Sequence, residues 1–414
     1  MSAEDKKELL DQLRGRRVYL WGAGRWGRVL RRRLAAVGLE AAGFLDSNAA
    51  NMSATVLGLP VTRPDEILAA GPGGEDGPVI IITPQFFKEA MLPPAEKAGF
   101  ERGRNLFLAE DFSPNHYIVE VSGRCNLRCL ACPRGRREKR GDGGGLMSLE
   151  NFQQVLEKIR GEDPLAANLQ LYQWGEPLLN PHLPEMIALA KEADLAVSVS
   201  SNLNLDMDLR PVIAAGPDWF RVSLSGFGPD YEKTHTGGRF ERVLANLRQL
   251  AGLRDLNPLM RVEVYYHVYK HNRGEQEEQA RELCRELGFE FQPVWAYLIS
   301  LDEVMAREEG RPLPPEAQAA ADLLALEMDT ALTAARQARA LPCLVENVVM
   351  VDWNLSMPVC LMYYYPHDNI LADNYLRTPL SEVRARRKSA PLCARCRKLA
   401  LHRYCDTYYN WPQS

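Results

Sequence analysis

Between about His116 and Ser300, six strand-length apolar runs alternate with helical patterns, and this alternation constrains the fold of the 414-residue chain more than any other feature. The runs are Tyr117–Val121, Leu169–Gln173, Ala196–Ser200, Phe220–Leu224, Val262–Val268 and Phe289–Val294. The helical patterns between them include Leu149–Arg160, Leu183–Ala193, Phe240–Leu250 and Gln276–Leu287. Strands separated by helices pair in parallel, with helices on their faces. Six such units predict a partial (β/α)6 TIM-like barrel, whose chemistry belongs at the carboxyl ends of the strands. Polar residues should therefore gather just after each run.

A shorter alternation precedes the barrel: Val18–Trp21, a helix over Gly27–Val37, Ala41–Leu45, Val79–Thr83, a helix over Phe86–Ala98, and Asn105–Leu108. It reads as a Rossmann-like parallel sheet. Gly22, Gly24 and Gly27 form G-x-G-x-x-G after its first strand, and Asp46 ends the next strand. Glycines let the backbone approach a diphosphate at a helix N-terminus, and the acid can bond a ribose hydroxyl. Packing alone would also explain them. The expected partition is 1–112, 113–302 and 303–414, all of α/β class except an irregular C-terminal part entered through an Ala-rich helical stretch, Pro315–Ala338.

Composition narrows the class. The net charge of −4 supplies no basic field for nucleic acid or an anionic membrane, and no apolar run reaches the length of a membrane span. The charged segment Met1–Arg17 is unlike a secretory signal, so a cytoplasmic protein is expected. The nine cysteines then read as metal ligands or redox groups. Cys284, alone in a helical pattern, reads as a small buried hydrophobe.

Cys125, Cys129 and Cys132 follow the first barrel strand with C-x3-C-x2-C spacing. Three thiolates on one loop can hold three irons of a [4Fe–4S] cluster and leave the fourth iron open. Zinc prefers paired C-x2-C spacings and a fourth ligand. The loop Cys-Asn-Leu-Arg-Cys-Leu-Ala-Cys-Pro resembles the signature of the radical S-adenosylmethionine (SAM) enzymes, although Ala131 stands where an aromatic residue is frequent. The resemblance covers about Tyr117 to Trp295. Gly175-Glu176-Pro177, after the second strand, is similar to the family segment that contacts the SAM amino group. Ser200 and Asn202 match the ribose- or carboxylate-bonding segment, and Ser223 and Ser225 end the fourth strand, with Ser225 where many relatives carry Asp. On the fifth strand Tyr265 and His267 share a face with Glu263 and are candidate catalytic groups; Gln292 and Trp295 close the sixth.

Five cysteines lie in the last 72 residues. Cys343 and Cys360 flank a hairpin-like stretch, Val348–Met357, and Cys393 and Cys396 form C-x2-C. Two close pairs of thiolates suit zinc or a fully ligated [4Fe–4S] cluster. The pattern resembles the SPASM/twitch auxiliary-cluster domain, with Leu355 where its hairpin usually has Gly, and implies one auxiliary [4Fe–4S] cluster. Cys405 is a fifth thiol: an alternative ligand, an acid or hydrogen donor near the substrate, or a bystander. The basic run Arg134–Arg140 and the Gly-rich Gly141–Gly145 read as a solvated loop, with substrate phosphate as a further use.

The resemblance implies an enzyme, in the broad sense an oxidoreductase, that reductively cleaves SAM to methionine and a 5′-deoxyadenosyl radical, which abstracts hydrogen from substrate. A flavodoxin- or ferredoxin-type donor would supply the electron. Two substrate readings stand: a sugar or nucleotide-linked metabolite, with NAD or a nucleotide-sugar anchored on the N-terminal domain, and a peptide side chain. An iron–sulfur scaffold or electron carrier would lack the SAM-contact segments.

Overall fold

The computed structural model describes residues 3–51, 53–74, 76–83, 88–113, 115–137, 144–343, 345–364 and 369–410. It divides into two compact units: residues 1–116 with 159–168 and 192–196, and residues 117–158 with 169–191 and 197–414. No helix among the described residues is long and apolar enough to cross a membrane.

The first unit is a six-stranded sheet of β1 (Val18–Trp21), β2 (Ala41–Leu45), β3 (Thr55–Val56), β4 (Leu59–Thr62), β5 (Val79–Ile82) and β6 (Leu106–Leu108), in the order β3-β4-β2-β1-β5-β6. All neighbours are parallel except the short β3–β4 pair. Its strands are apolar on both sides because both are covered: Val18, Leu20, Val79 and Ile81 fill one layer, and Trp21, Leu45, Ile80 and Ile82 the other. The chain leaves β1 in one direction for β2 and resumes beyond β1 at β5, which opens a crevice at their carboxyl ends. The helix after β1 begins at Arg25, two residues before the expected start, with Gly24 as its N-cap. The helix expected over Phe86–Ala98 is described from Lys88 to Lys97; Phe86 and Phe87 lie outside the described residues.

The second unit is built on β7 (His116–Val119), β8 (Asn168–Gln170), β9 (Ala196–Ser201), β10 (Trp219–Leu224), β11 (Arg261–Val268) and β12 (Glu290–Trp295). They lie in chain order, β7 to β12, as the open parallel barrel expected from the alternation. Period-two alternation separates the faces: Phe220, Val222 and Leu224 are fully buried, while Trp219, Arg221 and Ser223 turn to the less enclosed side.

Two sequence expectations give way to longer-range pairing. The stretch Val348–Met357 turns near Asn354, but its arms join different sheets. β13 (Val348–Val351) extends the barrel sheet beside β7, where Glu120 N–H donates to Val351 C=O at 2.8 Å. β14 (Met357–Pro358) pairs instead with β15 (Ile370–Ala372). The Ala-rich stretch forms two helices, Pro315–Asp322 and Met328–Gln337, because Leu324 N–H caps the first and Tyr269 bridges to Leu324 between them.

Candidate functional site

The cysteine loop is fastened to the ends of neighbouring strands by its own polar groups. Arg128 and Leu130 N–H donate to the carbonyls of Thr236 and Thr234, at 2.8 and 2.9 Å. Asn126 Nδ2 reaches Asn204 C=O at 2.8 Å, and Asn202 Nδ2 donates to Asn126 Oδ1 at 3.0 Å and to Cys125 Sγ at 3.7 Å. Arg136 donates to Leu130 C=O at 2.8 Å and forms a buried pair with Glu303, which ties the loop to the helix Leu301–Glu308. Thr234, Thr236, Asn204 and Glu303 were not legible as site residues, because each acts on a loop far away in the chain.

The G-E-P segment lies directly against this loop. A Cβ at Gly175 would stand 1.8 Å from Ser122 O, so only glycine fits. Glu176 N–H donates to Arg124 C=O at 2.7 Å. The Glu176 carboxylate is buried and accepts from Leu178 N–H and Asn202 N–H, at 3.0 and 2.8 Å; it staples β8's end to β9's. Burial pushes it up to about 7 against those two donors. Pro177 starts the short turn that follows. Glu120, which the sequence did not single out, grips the other side: its carboxylate accepts from Trp174 N–H at 2.6 Å and Gly175 N–H at 3.1 Å.

The remaining strand-end residues take these positions. Ser200 is half-buried on β9, and Asn202 is committed to the cysteine loop. Ser223 is half-buried on β10; Ser225 Oγ lies 3.1 Å from His267 Nδ1. Burial, with Arg221 adding, lowers His267 to about 4, so its ring is neutral near neutrality. Tyr265 packs edge-on to His267 at 5.2 Å and lies under the Arg221 guanidinium at 4.3 Å. Arg221 in turn pairs with Glu263 at 3.3 Å. Tyr265 and His267 thus share one face, as their spacing requires.

The donor set fits an iron–sulfur cluster. Cys125, Cys129 and Cys132 sit within electrostatic reach of one another, and burial raises all three thiols, Cys125 to about 12. Thiols so placed ionise readily only against a bound cation. A second set lies near the C-terminus. Cys343, Cys360, Cys393 and Cys396 also perturb one another, and burial raises each, Cys360 to about 12. Cys405 is raised by burial and feels Cys360, Cys396 and Cys343. A residue missed in the sequence, Arg387, is buried beside Cys360, Cys393 and Cys343 and donates to the carbonyls of Val359, Glu346 and Val348. Leu355, where the resembled hairpin has Gly, takes the left-handed conformation with φ 71°, a strain of roughly 1–2 kcal/mol for a residue with a Cβ. Among the described residues no group of three or more His, Cys, Asp or Glu has single-ion geometry.

In the first unit, Gly22 has φ 115° and Gly27 a virtual Cβ 1.9 Å from Gly22 O, so both shape the turn. Nothing lies within 4 Å of a Cβ built on Gly24, which leaves the helix N-terminus approachable. Asp46 is engaged within the protein: its oxygens accept from Ala23 N–H and Asn48 N–H, each at 2.9 Å, and so hold the glycine loop.

Residues 119–261 match the family model of the radical SAM superfamily. A probable GTP 3′,8-cyclase of Methanococcus maripaludis is 29% identical over 131 residues, 31% of this chain and 42% of that protein. The chain therefore spans about two-fifths of the length of such curated relatives. The crystal structure of BtrN in complex with AdoMet and 2-DOIA is similar over 71% of this chain and 91% of that one, at 15% identity and TM-score 0.39. Streptococcus suis SuiB bound to S-adenosylmethionine is similar over 69% of each chain, at 14% identity and TM-score 0.44.

Proposed function

We propose that this chain, a radical SAM protein through its domain at residues 119–261, is a SAM-cleaving enzyme acting on a small molecule of the sugar or nucleotide-linked class. One observation carries the reading: the C-x3-C-x2-C loop that bears the three thiols is hydrogen-bonded through Asn126, Asn202 and the G-E-P segment to the ends of β8 and β9. Cys125, Cys129 and Cys132 would hold the first cluster, which when bound supplies one electron to SAM for its cleavage to methionine and a 5′-deoxyadenosyl radical. The chain's own work is placement. Glu120 and Glu176 fix the Trp174–Leu178 backbone that would meet the SAM amino group. Arg136 and Glu303 close the cysteine loop on the side of the helix Leu301–Glu308. Ser225 and neutral His267 offer a hydroxyl and a ring nitrogen on the barrel's inner face.

Cys343, Cys360, Cys393 and Cys396 would hold an auxiliary cluster, with Arg387 as its buried counter-charge and Cys405 as the adjacent thiol. The first unit would anchor a nucleotide over Gly24 and Asp46. The partial match to GTP 3′,8-cyclases covers too little of either chain to carry their substrate over. Peptide modification is the second reading, and the crevice at β1 and β5 favours the small-molecule one, since Rossmann-like crevices suit nucleotides.

The test is iron content and SAM turnover. Anaerobically prepared protein should carry roughly eight irons, as two four-iron clusters. Replacing Cys125, Cys129 and Cys132 together by Ala should remove about half of them and all reductive SAM cleavage. Surviving cleavage would refute the assignment.

A further inference from the structure

A cavity of about 390 Å3 opens in the second unit between the end of β7, the start of the cysteine loop and residues 352–364 and 369–373. That volume suits a small ligand. Its walls are of two kinds. Trp174, Trp353, Tyr363 and Tyr364 are the aromatic surfaces, with Trp174 and Tyr364 meeting edge to face at 5.1 Å. Trp353 lies against two glycines: a Cβ on Gly123 or Gly145 would come within 2.1 or 2.2 Å of its indole. The charged lining is Glu120, Asp352, Asp373 and Arg134. Among the described lining residues, carboxyl groups therefore outnumber guanidinium groups. Glu120 is occupied by the N–H groups of Trp174 and Gly175. Among the described residues the Asp352 carboxyl accepts from the Ser356 hydroxyl at 3.1 Å, on the wall itself.

A carboxylate in a cavity with aromatic walls attracts a cation. A phosphate would meet Arg134 but also three carboxyl groups among the described lining residues. We propose that this cavity receives the protonated amine of a small substrate, with Asp352 as the group that binds the ammonium and Trp353 and Tyr364 as aromatic walls. The proposal rests on the small-molecule reading above and narrows it to amine-bearing substrates. It also separates the two candidate ligand regions by charge: a diphosphate belongs at the glycine loop of the first unit, and a cation belongs here.

Burial raises Asp352 to about 6. Asp352 faces Glu120, Arg134 and Asp373 across the cavity, and Glu120 is itself raised to about 7, partly by Asp352. A bound ammonium relieves this crowding of acids, so amine binding should release protons and weaken as pH falls below about 6.

The experiment uses the full-length, cluster-loaded protein near pH 7 and three probes: glucosamine, its neutral isostere glucose, and glucose 6-phosphate. Binding is read by tryptophan fluorescence and by calorimetry. Glucosamine should bind at least about tenfold more tightly than glucose, the scale of one hydrogen bond to a charged group. Glucose 6-phosphate should bind weakest. D352N should abolish the preference for glucosamine, and D373N, a second variant should D352N fail to fold, should reduce it. Equal binding of glucosamine and glucose, tightest binding of the phosphate, or an intact preference in a folded D352N protein would each overturn the proposal. SAM cleavage by the unaltered protein, assayed in the same preparation, tests the broader reading separately. Cleavage without amine preference removes the cavity assignment alone.

Discussion

Gly175→Ala should empty the first cluster site without touching a single cysteine. The added Cβ would stand 1.8 Å from Ser122 O and 2.7 Å from Arg124 O, both backbone atoms, where real Cβ atoms stay beyond 3.0 Å. The G-E-P segment and the start of the cysteine loop must then part by about 1.2 Å. Three bonds cross or brace this contact: Glu176 N–H to Arg124 C=O at 2.7 Å, and Trp174 and Gly175 N–H to Glu120 at 2.6 and 3.1 Å. A 2.7 Å bond stretched by that amount is no longer a hydrogen bond. Losing it and loosening the two backbone bonds to Glu120 costs about 2–4 kcal/mol locally, counting ~1–3 kcal/mol for a buried group left unpaired and about 1–3 kcal/mol for overpacking, with partial relaxation. That is enough to shift loop occupancy by about one and a half to three orders of magnitude, at about 1.4 kcal/mol per tenfold. The assay is iron content with the electron paramagnetic resonance signal of the reduced protein, alongside circular dichroism. Roughly half the iron should be lost while the C-terminal signal and overall helicity remain. Full iron and wild-type SAM cleavage in Gly175→Ala would show that the contact between these segments does not set the loop's geometry.

Three further outcomes are expected. Arg387→Met should lower auxiliary iron selectively, because it removes a buried guanidinium beside Cys360, Cys393 and Cys343 together with its bonds to three carbonyls; iron retention and an unshifted auxiliary potential would count against it. His267 is held neutral by burial, with a folded value of about 4 against 6.5 unfolded, so its contribution is present above pH 6.5 and lost as pH falls through 4; His267→Gln should flatten the acid limb of the urea midpoint between those values. Asp46→Ala should weaken nucleotide binding and also loosen the glycine loop, since its oxygens hold Ala23 and Asn48, whereas Gly24→Val should block binding alone; calorimetry with NAD and nucleotide-sugars, paired with hydrogen exchange at Ala23, separates the two.

The barrel, its strand order and the cysteine loop were legible because each depends on information carried within a few residues. Strand bounds such as Val18–Trp21 and Ala41–Leu45 follow from apolar runs, and Phe240–Gly252 from helical spacing. The C-x3-C-x2-C loop is likewise local. Side-chain roles were not legible in the same way. Glu176 reads as a cofactor-facing acid but spends its carboxylate on Leu178 and Asn202, and Asp46 spends its own on the glycine loop. Glu120 and Arg387 gave no local signal at all, since their partners lie 54 and 39 residues away.

What the sequence by itself determined is therefore the set of elements and the donor atoms offered to metal. Tertiary structure alone decided that β13 completes the barrel edge beside β7 rather than closing a hairpin. It alone brought Arg134 to Tyr364, 230 residues on, and set Asp352 opposite Glu120 across one cavity. The physical reason is range. Periodicity and turn chemistry act over one or two turns of backbone, whereas burial, charge crowding and a shared hydrogen-bond partner arise only when distant segments pack.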